Sequence, residues 1–364
     1  MMEKYCINLL KKLINIESES GNEKKIMEFI EKELKSFGFE TKRIYLEKDR
    51  FNILGKIGNG SPSICLNSHA DTVNPLGKSI PHATVKNGKI FGLGSCDDKG
   101  GISAILTTAK EISKTPPKRG SLNILISVDE EKGGMGVERV IKQGYKFDYA
   151  IVGEPSNCEI VRANMGILFL KLKTYGVSTH GSTPWNGINA IEKLFELVTK
   201  IKLFLKKYKK HNLVGPFSIN LGVIRGGDRP NRVPDYCEGS VDIRISPPHK
   251  SKDVLKELRK IIKKFKADFE IIKLQEPMET EEDSILIKIL KEVYFDVTKR
   301  KIIISGKRGW TEASHFRNML GIDTVILGPG SMKQAHSANE FVKIEEVINC
   351  YKIYTNLVKK ILQL

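Results

Sequence analysis

Four hydrophobic, strand-like runs in this chain each lead into acidic or imidazole side chains, and no other feature restricts the fold so tightly. Residues 63–66, SICL, run into Asn67-Ser68-His69-Ala70-Asp71, and residues 122–128, LNILISV, run into Asp129-Glu130-Glu131. Residues 149–152, YAIV, precede Gly153-Glu154-Pro155, and residues 323–327, DTVIL, lead through a Gly-Pro-Gly loop to His336. In an open α/β sheet, parallel strands deliver their carboxyl ends to one crevice, where ligands bind. His69, Asp71, Asp97, Glu131, Glu154 and His336 are therefore expected to converge, although they are scattered along the sequence.

At 364 residues the chain is long enough for two domains and a sizeable core. No apolar run approaches the length of a membrane span. The first seventeen residues, MMEKYCINLLKKLINIE, interrupt their apolar positions with charge and read as an amphipathic helix rather than a signal peptide. A cytoplasmic protein is expected. The six cysteines, at 6, 65, 96, 158, 237 and 350, show no CxxC spacing and are too dilute for a disulfide scaffold. They are expected to be reduced and mostly buried. The formal net charge of +17 comes mainly from lysines along predicted helices, with one dense stretch at residues 200–211. No recognisable nucleic-acid-binding module accompanies it, so it reads as a solvated surface, with neither nucleic acid nor membrane as partner. The charge can still steer anionic substrates.

Residues 1–165 alternate helical and strand patterns, which argues for a mixed, mostly parallel sheet with helices on both faces. Ser20-Gly21-Asn22-Glu23 resembles a capping box opening a helix with Ile26, Ile30, Leu34 and Phe37 on one face. From residue 166 the order becomes strand (167–175), helix (187–209), strands (217–224 and 236–245), helix (250–265) and strand (269–274). That β-α-β-β-α-β series is the ferredoxin-like arrangement. The first pattern resumes after Pro277. The expectation is a discontinuous metal-binding catalytic domain, 1–165 with 276–364, interrupted by a small lid domain at 166–275.

Each candidate residue has a plainer reading. His69-Ala70-Asp71 has the spacing of a metal-binding imidazole whose other ring N–H meets a carboxylate; alone, His-x-Asp is common and favours a structural histidine. Asp97-Asp98, in the glycine-rich stretch GLGSCDDKGG, stands at a helix start, where the dipole favours anions; beside the other candidates, one of the two can bridge two cations. A charge triplet such as Asp129-Glu130-Glu131 is usually a solvated turn. Delivered to a crevice by the most hydrophobic strand, it lets one glutamate bind metal while its neighbour stays free as general base. Oxygen-and-imidazole sets of this kind suit zinc, cobalt or manganese.

Assembled in order, SHADTV, GLGSCDDKGG, DEE, GEPS, STHGSTPWNGINAI, GGDRPNRVP, DIR and GPGSMKQAH resemble the two-zinc amidohydrolases. These include acetylornithine deacetylase, succinyl-diaminopimelate desuccinylase, aminoacylase and carboxypeptidase G. The likeness covers nearly the whole chain. It implies a zinc-exopeptidase-like fold, with His69 and Glu154 on one metal, Glu131 and His336 on the other, and Asp97 bridging. Asp71 would orient His69, and Glu130 would be general base and proton shuttle. His180 matches the family histidine that polarises the scissile carbonyl across a dimer interface, so a homodimer through the lid domain is expected. Asn231 and Arg244 match residues that contact substrate, Arg244 being suited to bidentate carboxylate binding; without the family, all three lid residues read as structural.

Thr311-Glu312-Ala313, GPGSMKQAH and Leu93 look most like acetylornithine deacetylases, which places Thr311 among the substrate-binding candidates. A short segment between Asp71 and Gly92, Asp98 where methionine is common, and Trp185 after the lid histidine depart from the pattern. His82, His211, His249 and His315 match no role and are expected to be structural or on the surface. The resulting expectation is hydrolysis of an N-acyl amino acid with two divalent ions, N-acetyl-L-ornithine in arginine biosynthesis first. Dipeptide or succinyl-diaminopimelate hydrolysis is the alternative on the same site, and a non-catalytic basic binding protein the alternative of another class.

Overall fold

A computed structural model of the protein describes residues 1–74 and 82–364. The chain forms two compact units: Met1–Arg162 with Thr280–Ser305 and Thr311–Leu364, and Ala163–Glu279 with Gly306–Trp310. It is a mixed α/β protein of the class the strand and helix pattern predicts.

At the centre of the first unit four strands run parallel, in the order Gly120–Ser127, Ser63–His69, Tyr149–Val152 and Asp323–Ile326. Arg50–Asn59 joins the Gly120–Ser127 edge antiparallel and carries the outer strand Glu40–Glu47. On the other side Ile326 pairs with Val161 in antiparallel fashion. Every residue of Gly120–Ser127 is buried, as expected for a parallel strand covered on both faces. Glu40–Glu47 went unpredicted because it buries only Ile44 and alternates charged with half-exposed residues. It is an edge strand, whose charges discourage further pairing.

Helices Met2–Ile14, Lys99–Ile112 and Ile344–Leu362 pack on one another, filling the core with Leu9, Leu10, Leu13, Ile102, Ile105, Leu106, Tyr354, Leu357 and Val358. Each such large apolar side chain contributes roughly 1.5–3 kcal/mol on burial. Among the described residues, no helix is long and apolar enough to cross a membrane.

The capping box expected at Ser20 is overturned. The helix spans Lys24–Ser36, and its N-cap Glu23 makes no side-chain cap. The Ser20 hydroxyl donates instead to Asp71 Oδ2 at 2.6 Å, and Glu23 receives the guanidinium of Arg50 at 2.7 Å. Both groups find stronger, charge-assisted partners from distant segments than a local cap supplies.

The second unit carries a four-stranded antiparallel sheet in the order Ser218–Gly226, Tyr236–Ile245, Gly166–Tyr175, Asp268–Gln275. Alternation along the two inner strands buries Leu168, Leu170, Leu172, Val241, Ile243 and Ile245. Helices Ala190–Leu205 and Ser251–Lys264 pack into the same core with Leu194, Leu197, Ile201, Val254, Leu258 and Ile262. The helix at Ala190 opens on Asn189, whose Oδ1 accepts the Ile191 amide at 2.9 Å. This is the ferredoxin-like order read from the sequence.

In the first unit, the loops after Tyr149–Val152 and Asp323–Ile326 cross so closely that a Cβ on Gly328 would lie 1.7 Å from the Gly153 carbonyl oxygen. Gly328→Ala is therefore expected to lower stability by about 3 kcal/mol or more, because backbone must move to relieve the clash. Urea melts check this, and an unchanged midpoint would mean the two loops separate freely.

Candidate active site

The four parallel strands bring their carboxyl ends together, and the predicted residues stand there. His69 is the last residue of its strand, Glu130 and Glu131 follow Gly120–Ser127, and Glu154 follows Tyr149–Val152. His336 sits beyond the Gly328-Pro329-Gly330 loop, in a left-handed backbone conformation with φ of 59°. Asp97 precedes the helix Lys99–Ile112.

Asp97 lies between the two imidazoles. His69 Nε2 is 3.0 Å from its Oδ1, and His336 Nε2 is 3.4 Å from its Oδ2. His336 Nε2 also meets Glu131 Oε1 at 2.9 Å, and His69 Nε2 is 3.8 Å from Glu154 Oε1. Two trios, His69–Asp97–Glu131 and His69–Glu130–Glu154, each keep one nitrogen or oxygen from every member within 4.8 Å of the others. Five of the six predicted convergent residues thus supply atoms to one cluster, together with Glu130. Asp71 lies behind it.

The electrostatics match the crowding. Burial and the Glu154 carboxylate push the Glu130 carboxyl well above its ordinary range. Burial likewise raises Glu131, against the opposing hydrogen bond from His336. His336 is raised to about 10 by its hydrogen bonds to Asp97 and Glu131. Burial opposes a charged His69, but hydrogen bonds to Asp71 and Asp97 outweigh it and hold the imidazole well above its usual value. Like charges this close repel by roughly 3 kcal/mol in partly buried surroundings, so either protons or cations must sit among these carboxylates. Two imidazole nitrogens and a set of carboxylate oxygens are a donor set suited to divalent ions such as zinc.

The supports of this cluster are clear in space. His69 Nδ1 lies 3.0 Å from the Asp71 carbonyl oxygen and 3.5 Å from its Oδ1. The Asp71 carboxylate also accepts the amides of Glu130 and Glu131, each at 3.1 Å. It therefore holds the loop carrying both glutamates as well as facing the imidazole. On the far side of that loop Arg50 bridges Glu23 and Asp129, at 2.7 and 2.9 Å. Asp129 adopts φ of 74°, a left-handed state that aspartate tolerates better than most residues.

Glu340 is the support that sequence reading missed. Its buried carboxylate accepts the amides of Gly94 at 3.0 Å, Cys96 at 2.8 Å and Asp97 at 3.0 Å. Burial pushes this carboxyl up to about 7 even against those three donors. Nothing local marks Glu340, because its partners lie more than two hundred positions away. Arg50 offered a weak signal, an arginine opening a strand in a lysine-dominated chain.

The remaining candidates are placed as follows. Thr311 is fully buried, and its hydroxyl finds no hydrogen-bond partner among the described residues. Glu312 beside it accepts the Val137 amide at 2.9 Å and the Ser127 hydroxyl. Asp98 is buried and accepts the Ser68 hydroxyl, and Cys96 is buried against the Ser331 carbonyl. In the second unit His180 is exposed; its Nδ1 accepts the Ser182 amide at 3.2 Å, which leaves the ring proton on Nε2 as a donor. Asn231 is exposed and its carbonyl accepts the Gly181 amide. Arg244 is paired with Asp242 at 2.8 Å and lies over the Phe169 ring, and Trp185 is 76% exposed. His315 is buried against the Gly134 carbonyl, His211 meets Glu279, His249 packs edge-on to Tyr208, and His82 is exposed.

Residues 65–360 match the profile of peptidase family M20/M25/M40. The chain belongs to this family. M20/M25/M40 proteins are metal-dependent hydrolases, typically with two metal ions. Across the whole chain and 99% of its relative's length, it is 25% identical to a Staphylococcus epidermidis protein named probable succinyl-diaminopimelate desuccinylase. It is 30% identical to an Aliivibrio salmonicida acetylornithine deacetylase, over 89% of this chain and 88% of that protein. The fold matches a tripeptidase from Staphylococcus aureus with a TM-score of 0.84, at 22% identity, covering 100% of this chain and 99% of that one. An M20 metallo-carboxypeptidase from Sulfolobus solfataricus gives 0.83 at 19% identity, covering 99% of each chain.

Removing the Glu340 carboxylate leaves three buried amides without an acceptor, each costing roughly 1–3 kcal/mol. Glu340→Ala is expected to destabilise the metal-free protein by about 3 kcal/mol or more in denaturant melts, with Glu340→Gln intermediate. A loss below about 1 kcal/mol would show that the Asp97 loop keeps its shape unaided.

Proposed function

We propose that this M20/M25/M40 hydrolase removes an acyl group from the α-amino nitrogen of an amino acid, with N-acetyl-L-ornithine as first substrate. The observation that carries the catalytic part is the division of the Glu130-Glu131 pair. Glu131 is engaged by His336, while Glu130 reaches the His69–Glu154 side of the cluster with a carboxyl whose pKa is raised. A carboxyl raised in this direction holds a proton more readily than an ordinary one, as a group that takes and returns a proton must.

In this reading His69, Asp97 and Glu154 hold one divalent ion and Glu131, Asp97 and His336 the other, zinc first and cobalt or manganese as alternatives. Bound there, two such ions would supply Lewis-acid polarisation of the scissile carbonyl and a more acidic attacking water. Glu130 takes the water proton and passes it to the leaving amine nitrogen. Asp71 keeps both glutamates and His69 in place through its contacts with their amides and the imidazole. His180, with its proton on Nε2, donates to the carbonyl oxygen as negative charge develops there. It acts across a homodimer formed through the second unit, which serves as lid. Asn231, Arg244 and Thr311 are the residues assigned to substrate, Arg244 for the α-carboxylate. The setting is cytoplasmic arginine biosynthesis.

Succinyl-diaminopimelate is the second reading, favoured by the name of the Staphylococcus epidermidis relative that the chain matches end to end. Against it stands Gly309-Trp310-Thr311-Glu312, which departs from the Gly-Thr-Ser-Asp-like segment usual in desuccinylases.

Amine release from N-acetyl-ornithine, other N-acyl amino acids, succinyl-diaminopimelate and dipeptides decides between them. Turnover is expected to peak on N-acetyl-ornithine, vanish on chelation and return with zinc or cobalt. A peak on another substrate would overturn the ornithine assignment while leaving the site intact. Glu130→Ala is expected to bind two zinc equivalents as the parent does and to lose at least ~10²-fold in turnover. Undiminished turnover would remove Glu130 from its role.

A further inference from the structure

Two thiols far apart in the sequence meet in the first unit. Cys158 Sγ lies 3.2 Å from Cys350 Sγ, and both residues are buried. A disulfide places its sulfurs about 2.05 Å apart, so closure needs an approach of only about 1 Å. Cys6, Cys96 and Cys237 instead lie against oxygen atoms of Ser103, Ser331 and Glu238.

The two cysteines stand on segments that matter to the site. Cys158 lies on the loop that carries Glu154, between the strands Tyr149–Val152 and Ile160–Asn164. The amides of Ser156 and Cys158 donate to the Gly328 carbonyl, and that of Asn157 to the Gly330 carbonyl. Gly330 in turn donates its amide to Glu346, one turn before Cys350 in the helix Ile344–Leu362. Cys158 Sγ also reaches the Glu346 carbonyl at 3.5 Å. The loop carrying Glu154, the loop leading to His336 and the C-terminal helix thus meet where the thiols touch.

We propose that Cys158 and Cys350 are a disulfide-forming pair whose oxidation fastens the Glu154 loop to the C-terminal helix. The proposal does not depend on the catalytic assignment above. With hydrogen peroxide as oxidant, the Cys158 sulfur attacks one peroxide oxygen and becomes a sulfenic acid, and the first water leaves. The Cys350 sulfur then displaces the second water and forms the S–S bond. Two S–H bonds are lost, the two sulfurs are oxidised by two electrons in total, and the peroxide is reduced to two waters. Cys158, 5% exposed, is the thiol a small oxidant reaches first, and Cys350, fully enclosed, resolves it. Burial and the adjoining thiol raise the Cys350 pKa well above its ordinary value, which disfavours it as the first thiolate to meet the oxidant. Because the link would join residues 158 and 350, it would close a long loop of the unfolded chain, the case in which a cross-link restricts that chain most.

The test treats the fully reduced, full-length protein with hydrogen peroxide, then alkylates it under denaturing conditions and counts free thiols by mass. The count is expected to fall from six to four, with a single linked peptide pair containing Cys158 and Cys350. The oxidised protein should melt about 3–6 °C above the reduced form, and dithiothreitol should reverse the shift. Cys158→Ala and Cys350→Ala should each show no oxidant-induced rise. Six free thiols after oxidation, a link between other cysteines, oxygen adducts on Cys158 without a link, or a link with no change in melting would each overturn the proposal.

Discussion

The crowding of carboxylates at the ends of four parallel strands is the constraint around which the first unit is organised. Asp97 touches one imidazole with each of its oxygens, and Glu130, Glu131 and Glu154 stand beside it, Asp97 and Glu154 buried and the other two half-buried. Left to themselves, such groups would repel and the loops bearing them would spread. Two forces oppose that. Positive charge or protons at the centre neutralise the repulsion, and supports behind each loop prevent it from moving outward.

Those supports share a physical logic. Two of the site loops are gripped through their backbone amides by a buried carboxylate from elsewhere in the chain: Glu340 holds residues 94–97, and Asp71 holds residues 130–131. The amides themselves do not titrate, so a loop held this way keeps its shape while the side chains facing the centre exchange protons or ions, as long as the gripping carboxylate stays ionised. Arg50 adds a charged clasp on Asp129, next to the proposed base. The Gly153–Gly328 crossing completes the frame by fixing the loops of Glu154 and His336 against one another at backbone contact. The result is the pre-organisation that a hydrolytic site needs, built largely from main chain.

Much of this was legible in advance, and the exceptions have identifiable causes. The central strands announced themselves because strands buried on both faces must be continuously apolar. The amphipathic helices showed their 3.6-residue period, and the ferredoxin-like unit its alternation. The outer strand Glu40–Glu47 did not show, since an edge strand with one buried side chain carries almost no hydrophobic signal. The capping box at Ser20 misled for a different reason: the motif is local, but its hydroxyl and its glutamate were claimed by Asp71 and Arg50. In the site, the residues facing the centre were readable from their chemistry and their place after strands. Glu340 and the second task of Asp71 were not, because a carboxylate that binds distant amides looks like any other acid in sequence.

The sequence by itself determined the elements, the parallel core and the set of groups that gather at its carboxyl ends. These follow from apolar periodicity and from the geometry of strand–helix alternation, both of which are local properties. Only the tertiary structure decided which acid grips which loop, how Asp97 divides its oxygens between two histidines, and that Cys158 and Cys350 touch. Such pairings join positions tens to hundreds of residues apart. They depend on register and on the close crossing of loops, which no local pattern encodes.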